Sequence, residues 1–157
     1  MEITTLSARP KFIPIVAQMI YDEFVVGTAS KMTYDDCVSF FGQTNDTHTP
    51  ITFIAIVDNT CVGTVSLFEQ DGLSRQDLSP WLASFYVAPA FRSQKIGQSL
   101  IAVLLQKCKQ LGLQNVYLKT EHTSQYYANR GWKLIDSFVN EQGEKTDVFH
   151  YQLKPRN

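Results

Sequence analysis

Arg92-Ser93-Gln94-Lys95-Ile96-Gly97 stands between an apolar, strand-like run, Trp81 to Val87, and a long amphipathic stretch. A strand that feeds into a helix in this way puts the helix's first turn, with its unpartnered N–H groups and positive dipole end, at the strand's carboxyl end. An anion placed there is stabilised. Arg92 and Lys95 add two formal charges to the same spot, so the hexapeptide is where a phosphorylated ligand is expected. From Ser93 onward, Ile96, Leu100, Ile101, Val103, Leu104, Leu105, Cys108 and Leu111 form a helical stripe that Gly112 ends. Asn115 to Lys119 reads as the next strand, which makes a βαβ crossover with parallel strands.

Upstream, a short β-like start at Ile3 to Leu6 precedes Ser7 and Pro10, and these introduce a helix with apolar residues from Phe12 to Phe24. Pro14 falls within its first turns, where proline costs least. Thr33 can cap a second helix, through the amides of Asp35 or Asp36, that ends near Gly42. Ile51 to Val57 and Cys61 to Phe68, separated by Asp58-Asn59-Thr60, read as a β-hairpin. Downstream, Thr123 to Asn129 is a short helix, and Gly131 to Val139 pairs with Thr146 to Leu153 around Asn140-Glu141-Gln142-Gly143-Glu144. No repeat or linker divides residues 1–157, which are expected to form one domain.

The chain's bulk properties exclude several classes of function. Fourteen basic residues against fifteen acidic leave a net charge of −1, with no bulk attraction for nucleic acid or an anionic membrane. Cys37, Cys61 and Cys108 lack metal-ligand or CxxC spacing and are expected as free, apolar fillers in a reducing compartment. His48, His122 and His150 make no metal constellation, so no metal is expected. The N-terminus lacks the basic start of a signal peptide and no run is long enough to span a bilayer, which points to a cytoplasmic location.

Neither GxGxxG nor GxxxxGK(S/T) occurs, so dinucleotide and P-loop readings are poor. The hexapeptide resembles instead the acetyl-coenzyme A pyrophosphate loop of the GNAT (GCN-related N-acetyltransferase) family: Arg or Gln, two residues, Gly, one residue, then Gly or Ala. Arg92, Ile96 and Gly97 match, and Phe85-Tyr86-Val87-Ala88-Pro89-Ala90-Phe91 looks like that family's strand and its approach to the loop. About thirty residues on, Tyr127-Ala128-Asn129-Arg130-Gly131-Trp132 is similar to the family's signature of tyrosine, three residues, glycine and an aromatic. The resemblance covers nearly the whole chain. It implies an α/β fold with a mixed, mostly antiparallel twisted sheet, splayed central parallel strands and flanking helices.

The resemblance also implies acetyl-CoA as cosubstrate. Its contacts would run over Phe85, Tyr86 and Val87, then Arg92, Ser93, Gln94, Lys95, Ile96, Gly97, Gln98 and Ser99, with Tyr127 opposite. Val87 is the best placed to hold the pantetheine arm as an added strand would and to direct an amide at the thioester oxygen. Lys95 departs from the family, because it replaces the loop's first glycine. A lysine within the first helical turn has an allowed φ, and its ammonium would meet either phosphate or water.

Tyr127 stands at the general-acid position, where a phenol gives its proton to the departing sulfur. Of Tyr126 and Tyr127, one is expected in the cleft and the other in packing. Glu69 is the expected general base, with Asp71 or a water chain through Ser84 as alternatives. His122 could titrate near neutrality, but a lone histidine at a helix start is more often a cap or surface residue. Glu23, Trp81 and Ser84 are expected on the acceptor side, where carboxylates would attract a cationic amine, although such charges are usually just a solvated face. The implied reaction is acetyl transfer to a primary amine of a small molecule or peptide by direct attack in a ternary complex. A GNAT-like module that binds acyl-CoA without turnover is the alternative. Phe149 and Tyr151 would support a homodimer if exposed and a monomer if they belong to the core.

Overall fold

The structure is a computed structural model that describes residues 1–154, and the last three residues of the expected 1–157 domain lie outside it. Seven strands form one sheet in the order β1-β2-β3-β4-β5-β7-β6. The first is β1 (Glu2–Thr5). Next come helices α1 (Ile13–Ile20) and α2 (Tyr34–Gly42), and then the antiparallel strands β2 (Ile51–Val57), β3 (Thr60–Phe68) and β4 (Trp81–Val87). Helix α3 (Ile96–Gln110) leads into β5 (Asn115–Thr120), and α4 (Ser124–Ala128) into the closing strands β6 (Lys133–Val139) and β7 (Lys145–Gln152). The final strand slots between β5 and β6, antiparallel to both.

The strands β2 and β3 are buried along almost their whole length because both faces of this half of the sheet are covered, and their buried Thr52 and Ser66 hydroxyls pair with each other at 2.7 Å. Ile51, Phe53 and Ala55 face a core with α3, while Ile54 and Ile56 alternate onto a second core with α1 and α2. Phe149 is buried in the first core and Tyr151 packs against it, so neither supplies an exposed dimer surface.

Local signals account for most element ends. Asp58 and Asn59 take φ of 49° and 62°, as the two central residues of a primed hairpin turn require. Thr33 caps α2 by accepting from the Asp36 amide at 3.0 Å, and the Asp36 carboxylate accepts from the Thr33 amide at 2.9 Å, which completes a capping box. At the end of α3, the Gly112 amide donates to Lys109 and the Leu113 amide to Cys108, with Gly112 at φ +77°. This is a Schellman closure.

Three expectations need correction. The first helix is not continuous to Phe24: it begins with a 3₁₀ turn at Pro10–Phe12 and, after Ile20, widens into a π turn over Tyr21–Val25. The third helix begins at Ile96 rather than Ser93, because Ser93 and Lys95 adopt φ of 63° and 65°, which cannot continue a right-handed helix. Lys95 therefore sits in the left-handed region just before the helix, not in an unstrained first turn.

Candidate active site

Strands β4 and β5 run parallel yet share a single register pair, Trp81 opposite Tyr117, beside which the Tyr117 amide donates to the Pro80 carbonyl at 3.0 Å. Beyond that rung they part. The gap between their carboxyl ends opens into a cleft of about 860 Å³. Ligands of open α/β sheets gather at such carboxyl ends.

A bulge in β4 shapes one wall. Thr64 lies opposite Tyr86 and Ser66 opposite Ala83, so Ser84 and Phe85 together oppose Val65, and Ser84 takes φ +48°. After the bulge, Phe85 and Val87 pack towards α3 and Tyr86 towards α1 and α2. A Cβ on Gly97 would lie 2.8 Å from Phe85 Cζ, so the bare α-carbon is what lets this ring lie against the first turn of α3.

The anion end of the cleft is made of backbone. Left-handed residues at 93 and 95, followed by the amides that open α3, form a concavity of N–H groups of the kind that binds phosphate. Ser93, Lys95, Ile96, Gly97 and Gln98 line the cleft. Arg92 lines it too, but its guanidinium folds back: Nε donates to the Val87 carbonyl at 2.9 Å and the group lies 5.5 Å from the Tyr86 ring centre. Gln94 and Ser99 are not among the lining residues; the Gln94 amide donates to Ala90 and the Ser99 hydroxyl to the Lys95 carbonyl.

Across the cleft stands α4, held to β7 by the Ser124 hydroxyl, which donates to Asp147 at 2.6 Å. Tyr127, 6% exposed, meets Tyr126, Trp132 and Phe149 with its ring and also lines the cleft. Burial pushes its phenol up to about 12, Tyr126 adds to this, and the nearby Thr123 side chain opposes it. Tyr126 reaches the cleft as well, so the expected division of the pair into one cleft residue and one packing residue is corrected. The Arg130 guanidinium covers its ring at 3.6 Å.

On the wall where the acceptor is expected, the π turn brings Glu23 and Phe24 to the cleft, and π turns often occur at functional sites. Ser84, Asp71 and Glu121 join them. The β3–β4 loop that carries Asp71 is pinned twice: Lys119 Nζ donates to the Asp71 carbonyl at 2.8 Å, and Arg75 bridges Asp77 at 3.0 Å and Asp136 at 2.7 Å. Burial raises the Asp71 carboxyl, Lys119 opposes the rise and Glu121 reinforces it.

Two expected residues are not brought to the cleft. Glu69 is exposed at the end of β3 and does not line it. Trp81 is 1% exposed, its indole N–H donates to the Leu78 carbonyl at 2.8 Å, and its ring lies 5.9 Å from that of Tyr117, so it closes the floor rather than contacting an acceptor. Thr120, Thr123 and Arg130 line the cleft without having been anticipated. The signal for them was their place at and after the carboxyl end of β5, beside the point where the sheet divides. Among the described residues, no group of three or more His, Cys, Asp or Glu is placed to hold a metal.

The concavity, the bare Gly97 and the free inner edge of β4 suit a ligand with phosphates at one end and an amide-bearing arm. By structure, the chain is similar to an aminoglycoside 6'-N-acetyltransferase complexed with coenzyme A (TM-score 0.78, 16% identity, covering 100% of this chain and 99% of that one). It is also similar to the aminoglycoside 6'-N-acetyltransferase from Enterococcus faecium (TM-score 0.76, 16% identity, 100% and 99%), and to a GNAT-family acetyltransferase from Staphylococcus aureus Mu50 (TM-score 0.69, 20% identity, 98% and 100%). At these identities the likeness is one of fold. No curated protein matches by sequence. The family model described as "Acetyltransferase (GNAT) family" matches residues 15–133, a span that includes the bulge, the concavity of N–H groups and Tyr127. The chain therefore belongs to the GNAT family of acetyltransferases, and acetyl-CoA is its cosubstrate.

Proposed function

We propose that this protein transfers the acetyl group of acetyl-CoA to a primary amine of a small, cationic molecule, by direct attack in a ternary complex. The observation that carries this reading is one cleft with an anion concavity at one end, a buried phenol opposite it and carboxylates on the acceptor side. When bound, acetyl-CoA supplies an activated thioester carbonyl. The parted edge of β4 offers backbone N–H and C=O groups that hold the arm and polarise that carbonyl. Tyr127, protonated throughout the neutral range, gives its proton to the leaving sulfur.

Asp71 replaces Glu69 as the proposed base. It is the half-buried carboxylate of the acceptor side, and its raised carboxyl suits a group that must take a proton from an ammonium. Direct attack is supported by the cysteines. None of the three lines the cleft, and burial pushes the Cys61 and Cys108 thiols up to about 11 and about 12. The choice of a small acceptor draws on the names of the aminoglycoside acetyltransferases of like fold.

The test is release of free thiol from acetyl-CoA across a panel of diamines, amino sugars and short peptides. Turnover on small polyamines above peptides is expected. Tight coenzyme A binding with no turnover on any amine would overturn catalysis in favour of a non-catalytic acyl-CoA module.

A further inference from the structure

Four Lys and Arg side chains line the cleft: Arg92, Lys95, Lys119 and Arg130. Arg92 folds back on Val87 and Tyr86, Lys95 borders the concavity of N–H groups, and Lys119 holds the loop that carries Asp71. Arg130 is the fourth, on the opposite wall just past the end of α4, and among the described residues it has no carboxylate partner. Its guanidinium is nevertheless held in place. Nη1 donates to the Tyr126 carbonyl, in the last turn of α4, at 2.9 Å, and the guanidinium carbon lies 3.6 Å from the Tyr126 ring centre. Capping that carbonyl occupies one N–H of a five-donor group. Nε and Nη2 remain, a paired-donor edge that fits two oxygens of a phosphate. Along this wall Tyr127 is buried and Arg130 exposed, so the phenol lies inside the cleft and the guanidinium at its rim.

Coenzyme A brings two phosphate groups to this cleft, a pyrophosphate within its length and a monoester on the 3'-oxygen of its ribose. The concavity that opens α3 offers backbone dipoles to one of them, the pyrophosphate. The monoester carries about −2 at neutral pH, and a charge of that size keeps its hydration best at a wet rim. It also needs a full positive charge of its own. We propose that Arg130 binds the 3'-phosphate of coenzyme A from the wall opposite α3, with Tyr126 holding the guanidinium ready. A side chain already stacked on a ring and tethered to a carbonyl gives up less rotamer freedom on binding than a free surface arginine does. The inference concerns the seat of the coenzyme alone, and it stands whether or not an amine is acetylated.

The test is calorimetric binding of coenzyme A and of 3'-dephospho-coenzyme A to wild type, Arg130→Gln and Arg130→Lys. Wild type is expected to bind coenzyme A about tenfold more tightly than the dephospho form, and R130Q to reduce that preference to about twofold. The affinity of R130Q for the dephospho form should stay within about twofold of wild type. R130K, which keeps the charge but loses the fork, should fall between the two. Because R130Q also gives up the bond to the Tyr126 carbonyl, any slackening of α4 would weaken both ligands alike, and the ratio between them is free of it. An equal loss for both ligands would leave Arg130 a helix cap only and overturn the proposal. So would a preference that survives intact in R130Q, or a wild type that does not tell the two ligands apart.

Discussion

Lys95 occupies a backbone region that costs an L-residue on the order of 1–2 kcal/mol, at the spot where the family's loop has glycine. Lys95→Gly should therefore raise stability in a denaturant titration by about 1 kcal/mol. Removal of a charge beside the phosphate concavity should at the same time weaken coenzyme A binding by about threefold at low salt, with the difference fading at high salt. An affinity that rises with stability would show instead that the side chain crowds the ligand. Tyr127→Phe should reduce kcat by about a hundredfold with an unchanged KM for acetyl-CoA. Because burial pushes this phenol up to about 12, it does not set an alkaline limb in the neutral range. With Asp71 as the proposed base, the acid limb is assigned to it. Its carboxyl is raised above 3.8, so activity falls as pH drops through that raised value and the base is protonated. The same shift means that Asp71 contributes most stability below 3.8 and loses it as pH rises through its folded value. Asp71→Asn should thus lose turnover yet melt higher than wild type at pH 7, by calorimetry. That Tyr127 lines the cleft was legible from its spacing to Gly131. That Asp71 rather than Glu69 lines the cleft was not, because the loop that carries Asp71 is held by Lys119, far along the chain.

Among the elements, the β3–β4 loop links the acceptor side to the distant strand β6. Arg75→Ala, which frees it from Asp77 and Asp136, should raise the acceptor KM severalfold with the acetyl-CoA KM unchanged, as steady-state kinetics with each substrate varied would record. Thr33→Ala removes half of a capping box and should cost about 1 kcal/mol by denaturant titration, without a kinetic effect. Hydrophobic period and turn chemistry made the helices, the hairpin and the Schellman end readable, since each is set within a few residues. The π turn at Tyr21–Val25 and the bulge at Ser84 were not readable. Both add a residue to a regular repeat without any change in composition, and tertiary packing decides where the extra residue goes.

At the scale of the whole molecule, the one sheet has two halves, β1 to β4 and β5 to β7, joined at a single register pair. The crossover from β4 to β5 could be derived from the chain order, whereas the insertion of β7 between β5 and β6 could not, because no local signal chooses the neighbour of a last strand. A ligand that bridges the halves should stabilise the fold by mass action. Acetyl-CoA at a hundred times its Kd is expected to contribute about 2.7 kcal/mol, seen as a rise in Tm. The bulge at Ser84 gives this architecture an arithmetic. A strand with an even count between two landmarks shows each neighbour the same side, and one odd residue reverses the parity of everything after it. Deletion of Ser84 would leave Phe85 opposite Val65 and Tyr86 opposite Thr64, each on the face it now occupies, and would remove only the extra residue that bends β4 beside the cleft. In most proteins a one-residue deletion erodes a strand; in this one it would make β4 regular and straighten the wall of the cleft.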